Sequence, residues 1–230
     1  MHYVLVATFS GSKGGTGKTA LAVSLSIMAS GSLRSLLVDA SAEGGVTAYV
    51  FGDAPGPYLS EDPEGSLRSV SLGDIRLTVA VNRGPLLWPE RVAAKVREWA
   101  ESHALTIVDL PALTDVDAVE RYMPLLELTD AVLIVAEPNP ASLEASLYRF
   151  GEKRVVVALN QPRPYPKSLV DHYARVVASW CRSAGAEYVV VPYEPAVSRM
   201  GPGLLRVFDF TSSEFDAAVA KLIHLLLRKR

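Results

Sequence analysis

Residues 3–9, YVLVATF, are rich in β-forming side chains and apolar on both faces. The next stretch, SGSKGGTGKTA (10–20), is a glycine-rich loop that leads straight into a helical pattern. This junction constrains the fold more than any other feature. A strand with two apolar faces is buried on both sides, so it belongs inside a sheet covered by helices. Gly14, Gly15 and Gly17 allow a tight turn whose backbone N–H groups point inward. The helix spaced by Leu21, Leu25 and Met28 brings its positive N-terminal end to the same place. Together they make an anion nest at the start of an α/β unit.

The alternation continues along the chain. Strand-like runs lie at 35–40, 67–72, 75–81, 105–110, 130–137, 154–160 and 187–193. Helical patterns lie at 18–30, 89–103 with Pro89 at the start, 115–128 bent or restarted at Pro124, and 141–150. Two more lie at 168–185, ending on Gly185, and at 212–230, capped by Ser212 or Ser213. Continuous apolar strands between helices predict a doubly wound, mostly parallel α/β sheet flanked by helices. One domain over 1–230 suits the length. Its ligand belongs at the carboxyl ends of the strands. The Pro/Gly-rich stretch GDAPGPYLSEDPEG (52–65) reads as a long surface loop.

Composition narrows the class further. The formal net charge is −2, but it is uneven: residues 1–148 carry 10 Lys/Arg against 18 Asp/Glu, and residues 149–230 carry 13 against 7. Such asymmetry either marks an anionic partner for the C-terminal part or disappears when the halves intermix in space. Cys181 is the one cysteine, which excludes an internal disulfide and any Cys-Cys metal or redox pair. Asn and Gln total four, a composition of the thermophilic kind. No apolar run approaches the ~18 residues of a spanning helix, and the first residues lack a signal-peptide pattern. A cytoplasmic location is expected, with the nucleoid as a candidate surface.

The standard phosphate-loop spacing, Gly, four residues, then Gly-Lys-Thr, would place a glycine at position 12. Ser12 stands there, and Lys13 follows it. Lys18 is placed to reach β- and γ-phosphates, and Thr19 to ligate Mg²⁺. The stretch KGGTGKT resembles the deviant Walker A signature, KGGxGKT, of the ParA/MinD group of P-loop ATPases. This resemblance implies a P-loop NTPase fold that binds ATP or ADP with Mg²⁺. It assigns nucleotide contacts to Ser12, Lys13, Gly14, Gly15, Thr16, Gly17, Lys18, Thr19 and Ala20. It also implies that Lys13 crosses a dimer interface to the partner's ATP, and that Lys13, Lys18 and Asp39 are the catalytic set.

The other strand ends extend the resemblance. LLVDASAEGGVT (36–47) is similar to the family's switch I, Asp-x-Asp-Pro-Gln-Gly-Asn-x-Thr. Asp39 matches the first Asp, but Ser41 stands where the second Asp is usual and Glu43 where the Gln is. The family's second Asp serves the attacking water, and a serine is a poor general base. Ala20 replaces a frequent hydroxyl near the α-phosphate. Asp109 ends TIVDLPA as a switch II carboxylate. Thr19, Asp39 and Asp109 form the implied metal set. Asn160 is similar to the family's adenine-contacting Asn, and Pro192, Tyr193, Glu194 and Pro195 to the segment that walls the base. Without the resemblance, Asp39 reads as a strand-end cap, Asp109 as a helix-capping or salt-bridged carboxylate, Asn160 as an Asx-turn and Tyr193 as packing.

The resemblance therefore implies an ATP-dependent homodimer that acts as a switch in DNA partition or in positioning a cellular cargo, with slow hydrolysis. The alternative is a hydrolysis-deficient nucleotide-binding scaffold of the pilus- or partner-localising type. A ParB-like or other activating partner is implied in the first case. Non-specific DNA contact falls to Arg163, Lys167, Arg175, Arg182, Arg199, Arg206, Arg228, Lys229 and Arg230. The last helix has an apolar face of Phe215, Val219, Leu222 and Leu226. It is read as packed on the sheet rather than on a membrane, because it follows the fold with no tether. Other branches of the superfamily fit worse. Iron–sulfur carriers need paired cysteines, and bacterial tyrosine kinases a C-terminal tyrosine cluster. A dethiobiotin-synthetase-like enzyme would need substrate residues that are not evident.

Overall fold

The computed structural model describes residues 3–12, 14–198 and 211–228. Among the described residues, eight strands form one sheet in the order β3-β4-β2-β5-β1-β6-β7-β8. They are β1 (Val4–Phe9), β2 (Ser35–Asp39), β3 (Leu67–Leu72), β4 (Ile75–Ala80), β5 (Leu105–Asp109), β6 (Ala131–Ala136), β7 (Arg154–Asn160) and β8 (Glu187–Val191). All neighbouring pairs are parallel except the β3–β4 hairpin. β1 lies inside the sheet, between β5 and β6, and all six of its residues are buried. The two-sided apolar pattern requires that position.

The helices are α1 (Lys18–Ser30), α2 (Gly45–Phe51), α3 (Pro89–Ala100), α4 (Val116–Glu127), α5 (Pro140–Ser146), α6 (Lys167–Ala184), α7 (Pro195–Ser198) and α8 (Ser213–Leu227). Residues of alternate parity on each strand face opposite cores. Val6, Leu37, Ile107, Leu133 and Val156 pack with α1, α2 and α8. Leu5, Val38, Val108, Ile134 and Val157 pack with α3, α4 and α6. In α8, Phe215, Val219, Leu222 and Leu226 are buried in the first core, so its apolar face is covered by the domain's own sheet and α1. Arg154 closes its far end by donating to the carbonyls of Leu225 and Leu226.

Several boundaries differ from the sequence expectation for identifiable reasons. Helix α5 stops at Ser146 rather than 150, because Tyr148 and Phe150 turn back to pack edge-on against Phe9, with centroids 6.0 and 4.9 Å away. Helix α4 runs unbroken through Pro124. Helix α2 was not expected at all. Its sequence, GVTAYVF, is rich in β-branched and aromatic residues that disfavour helix. Tertiary contacts form it: Val46 and Val50 are buried, and Asp39 accepts from the Thr47 backbone N–H at 2.8 Å.

Candidate nucleotide-binding site

A cavity of about 380 Å³ opens at the carboxyl ends of β1, β7 and β8, where the switch-point rule places ligands. The loop between β1 and α1 lines it with Ser10, Ser12, Gly14, Gly15, Thr16 and Gly17, and the first turn of α1 adds Lys18, Thr19 and Ala20. Opposite lie Asn160, Gln161 and Pro162 after β7, and Pro192 and Glu194 after β8. Leu21 of α1, Gly45 and Tyr49 of α2, Ala112 after β5, Val197 and Ser198 of α7 and Phe215 of α8 complete the wall.

The loop's shape depends on two glycines. Gly15 and Gly17 have φ of 106° and 80°, the left-handed region that side chains avoid. A Cβ on Gly17 would also lie 2.4 Å from Asn160 Nδ2. No side chain among the described residues caps α1, so its leading N–H groups face the cavity without intrahelical partners.

Both flanks of the loop are braced. Asn160 Nδ2 donates to the Thr16 carbonyl at 2.7 Å. On the other side the Gly11 N–H donates to Ser146 Oγ at 3.2 Å, while Ser12 Oγ lies 3.1 Å from Ser10 Oγ and 3.5 Å from Ser142 Oγ. Helix α5 sits so close that a Cβ on Gly11 would be 1.7 Å from the Ala145 carbonyl oxygen. Ser12 thus belongs to a hydroxyl cluster that fastens the loop to α5. Lys13 lies outside the described residues.

The charged centre lies beneath the loop. Lys18 is 9% exposed; its Nζ donates to the Leu110 carbonyl and lies 3.5 Å from Asp109 Oδ1. Asp109 is fully buried and accepts from Thr8 Oγ1 at 2.8 Å and Thr19 Oγ1 at 2.7 Å. Burying a carboxylate demands such partners. A hydroxyl beside a carboxylate, next to an amide-lined nest and a lysine, is an oxygen-donor arrangement suited to Mg²⁺ bound largely through phosphate and water. No group of three His, Cys, Asp or Glu among the described residues could hold a metal by itself.

Asp39 is arranged differently from the sequence expectation. It does not line the cavity, and both carboxylate oxygens are engaged. Oδ1 accepts from the Ser41 N–H at 3.2 Å and Ser41 Oγ at 2.9 Å; Oδ2 accepts from the Thr47 N–H and Oγ1, both at 2.8 Å. Burial pushes its carboxyl up to about 6. Asp109, its register partner on β5, pushes the same way, and the Thr47 and Ser41 donors resist. Asp39 therefore organises the 39–47 turn, and among the described residues of that turn no carboxylate lines the cavity. Ser41 Oγ also accepts from the Gly45 N–H at 3.1 Å. Thr47, which matches the last residue of the switch I pattern but was given no role, and Asn82, which was not singled out, complete this network. Position at a strand exit was the only signal for Asn82.

The segment 192–195 divides between cavity and fold. Pro192 and Glu194 line the cavity, whereas Tyr193 and Pro195 do not. The Tyr193 hydroxyl accepts from Ser198 Oγ at 3.0 Å, and Pro195 opens α7. Glu194 accepts from the N–H groups of Ala196 at 3.1 Å and Ser212 at 2.8 Å. Burial pushes the Glu194 carboxyl up, but these bonds outweigh it and hold the group below its usual range. Among the basic candidates, Arg163, Lys167, Arg175, Arg182 and Arg228 are exposed, while Arg199, Arg206, Lys229 and Arg230 lie outside the described residues. No helix among the described residues is long and apolar enough to cross a membrane.

No protein-family model matches the chain. An uncharacterized ATP-binding protein of Methanocaldococcus jannaschii is 27% identical over 152 residues, 59% of this chain and 55% of the relative. The match thus spans about half the relative's length. Solved structures match almost end to end. The ATP complex of a Cyanothece McdA variant has a TM-score of 0.75 at 16% identity, covering 100% of this chain and 98% of that one. A ParA family ATPase from Chlorobium tepidum has 0.72 at 18%, covering 96% and 98%. The septum site-determining protein MinD of Pyrococcus horikoshii, complexed with Mg-ADP, has 0.71 at 16%, covering 97% and 95%. From β1 to α8, this chain has the fold of the ParA and MinD ATPases.

Proposed function

We propose that residues 1–230 form a single nucleotide-binding domain of the ParA/MinD type, which takes ATP with Mg²⁺ and self-associates when it is bound. The observation that carries this is one constellation: left-handed Gly15 and Gly17, buried Lys18 and Thr19 lining one cavity, with Asp109 buried behind Thr19 and accepting from its hydroxyl. The loop amides and Lys18 hold the β- and γ-phosphates. Thr19 would offer its hydroxyl to Mg²⁺, and Asp109 orients that hydroxyl. Bound Mg²⁺ neutralises phosphate charge. Asn160, Pro192 and Glu194 wall the base. Lys13 is assigned to the nucleotide of a second copy, following the signature it resembles.

Such a domain serves as a switch in partition or positioning, and relatives of this fold include proteins described as ParA and MinD. Non-specific DNA is the proposed surface, reached through Arg163, Lys167, Arg175 and Arg182, with salt-dependent binding. The proposed setting is the cytoplasm and its nucleoid. A second reading, a scaffold that binds ATP without cutting it, is favoured by Ser41 and by the full engagement of Asp39.

Calorimetry and phosphate release test both readings. The wild type is expected to bind ATP, and Lys18→Ala to lose roughly tenfold to a hundredfold in affinity. An unchanged dissociation constant in that variant refutes the site. ATP-dependent self-association with turnover identifies the switch; self-association without turnover identifies the scaffold.

A further inference from the structure

Asn82 follows β4 and is 0% exposed, although it begins a loop. All of its polar groups are engaged. Nδ2 donates to the Ser41 carbonyl at 2.8 Å and to the Gly84 carbonyl at 3.2 Å. Oδ1 accepts from the Ser60 N–H at 2.9 Å. Its backbone N–H donates to Thr47 Oγ1 at 2.9 Å, and its carbonyl lies 3.1 Å from the same hydroxyl, whose one proton points to Asp39 Oδ2 at 2.8 Å. The chain approaches closely enough that a Cβ on Gly44, at φ 67°, would lie 2.5 Å from the Asn82 carbonyl oxygen.

Thr47 Oγ1 and Ser41 carry this grip to Asp39, and Ser41 Oγ passes it to the Gly45 N–H. Gly45 in turn abuts Thr19: a Cβ there would lie 3.2 Å from Cγ2 and 3.3 Å from Oγ1. The path from Asn82 therefore runs through hydrogen bonds as far as the Gly45 N–H, and reaches Thr19 by the close approach of the Gly45 backbone. Buried polar groups are held this fully only where each is matched.

We infer that Asn82 is a positioning residue: it holds the 39–47 turn against Thr19 and so sets the Mg²⁺-dependent part of nucleotide binding. This rests on the nucleotide-site reading above. Asn82 touches neither phosphate nor metal; it acts through Ser41, Gly45 and Thr19. Partners that orient a metal-binding group change metal affinity by about tenfold or more when removed. Phosphate-loop contacts lie outside the network, so affinity for ATP without metal does not depend on Asn82.

The test is calorimetry of ATP binding with Mg²⁺ and with EDTA, on the wild type, Asn82→Ala and Thr47→Val, with a melting curve for each. Thr47→Val keeps the side-chain shape and removes the shared hydroxyl, which maintains the test should Asn82→Ala fail to fold. The wild type is expected to bind more tightly with Mg²⁺. Folded variants are expected to lose roughly tenfold of that gain while their EDTA affinities stay within about twofold. Folded variants that retain the full Mg²⁺ gain overturn the inference, as do variants that weaken equally with and without metal. A wild type that binds no ATP overturns the nucleotide reading itself, and this inference with it.

Discussion

Replacing Ser41 by aspartate would make switch I look more like the family pattern it resembles, yet the structure predicts harm. Ser41 is 6% exposed and its Oγ lies 2.9 Å from Asp39 Oδ1, to which it donates. A carboxylate at position 41 cannot donate when ionised, and it would stand close to a second buried carboxylate. At about 4 Å and an effective dielectric of about 20, the repulsion is about 4 kcal/mol. That is a large part of the 5–15 kcal/mol that typically separates folded from unfolded chains. The pair relieves the repulsion by keeping a proton, so its apparent upper pKa rises above the value of about 6 that burial already gives Asp39. A carboxyl with a raised folded-state pKa leaves stability intact at low pH and loses it as pH rises through that value. Urea unfolding of Ser41→Asp and wild type at pH 5 and pH 8 measures this. The variant is expected to be less stable by about 4 kcal/mol at pH 8 and by much less at pH 5. A variant as stable as wild type at pH 8 would refute the assignment of Ser41 as an obligate donor.

Two further outcomes follow from the loop. Lys13→Ala is expected to keep nucleotide binding but to lose ATP-dependent self-association, measured by light scattering after size exclusion; intact ATP-dependent dimers would contradict the role assigned to that lysine. Gly11→Ala drives a methyl group to 1.7 Å from the Ala145 carbonyl oxygen, so a destabilisation of about 3 kcal/mol is expected, or about 6–12 °C in melting temperature. Gly14→Ala meets nothing within 4 Å and serves as the control; equal melting of the two variants would show that α5 yields freely.

Much of this arrangement was legible because it is periodic or local. Strand runs such as 154–160 and helices such as 18–30 announce themselves through side chains that alternate or recur along a single segment. The glycines of the phosphate loop are legible for the same reason, since left-handed backbone is a local demand. Helix α2 was illegible because its residues favour strand; a carboxylate eight residues earlier and a buried pocket for Val46 and Val50 overrule that preference. Helix α5 ended early because Phe9, far away in sequence, supplies a packing surface for Tyr148 and Phe150.

At the site, the sequence alone determined the chemistry available: an amide nest, a lysine, a hydroxyl and carboxylates at strand ends, which parallel strands must bring to one edge. It also determined that a serine, Ser41, follows the end of β2. Tertiary structure decided what each group is free to do. Asn160 lines the cavity, and its amide also braces the Thr16 carbonyl. Asp39 was expected to face the reaction, and four donors turn it into the anchor of the 39–47 turn. Asn82, silent in the sequence, joins that turn to β4's exit. Hydrogen-bond partners decide such roles, and those partners come together only when strands distant in the chain lie side by side.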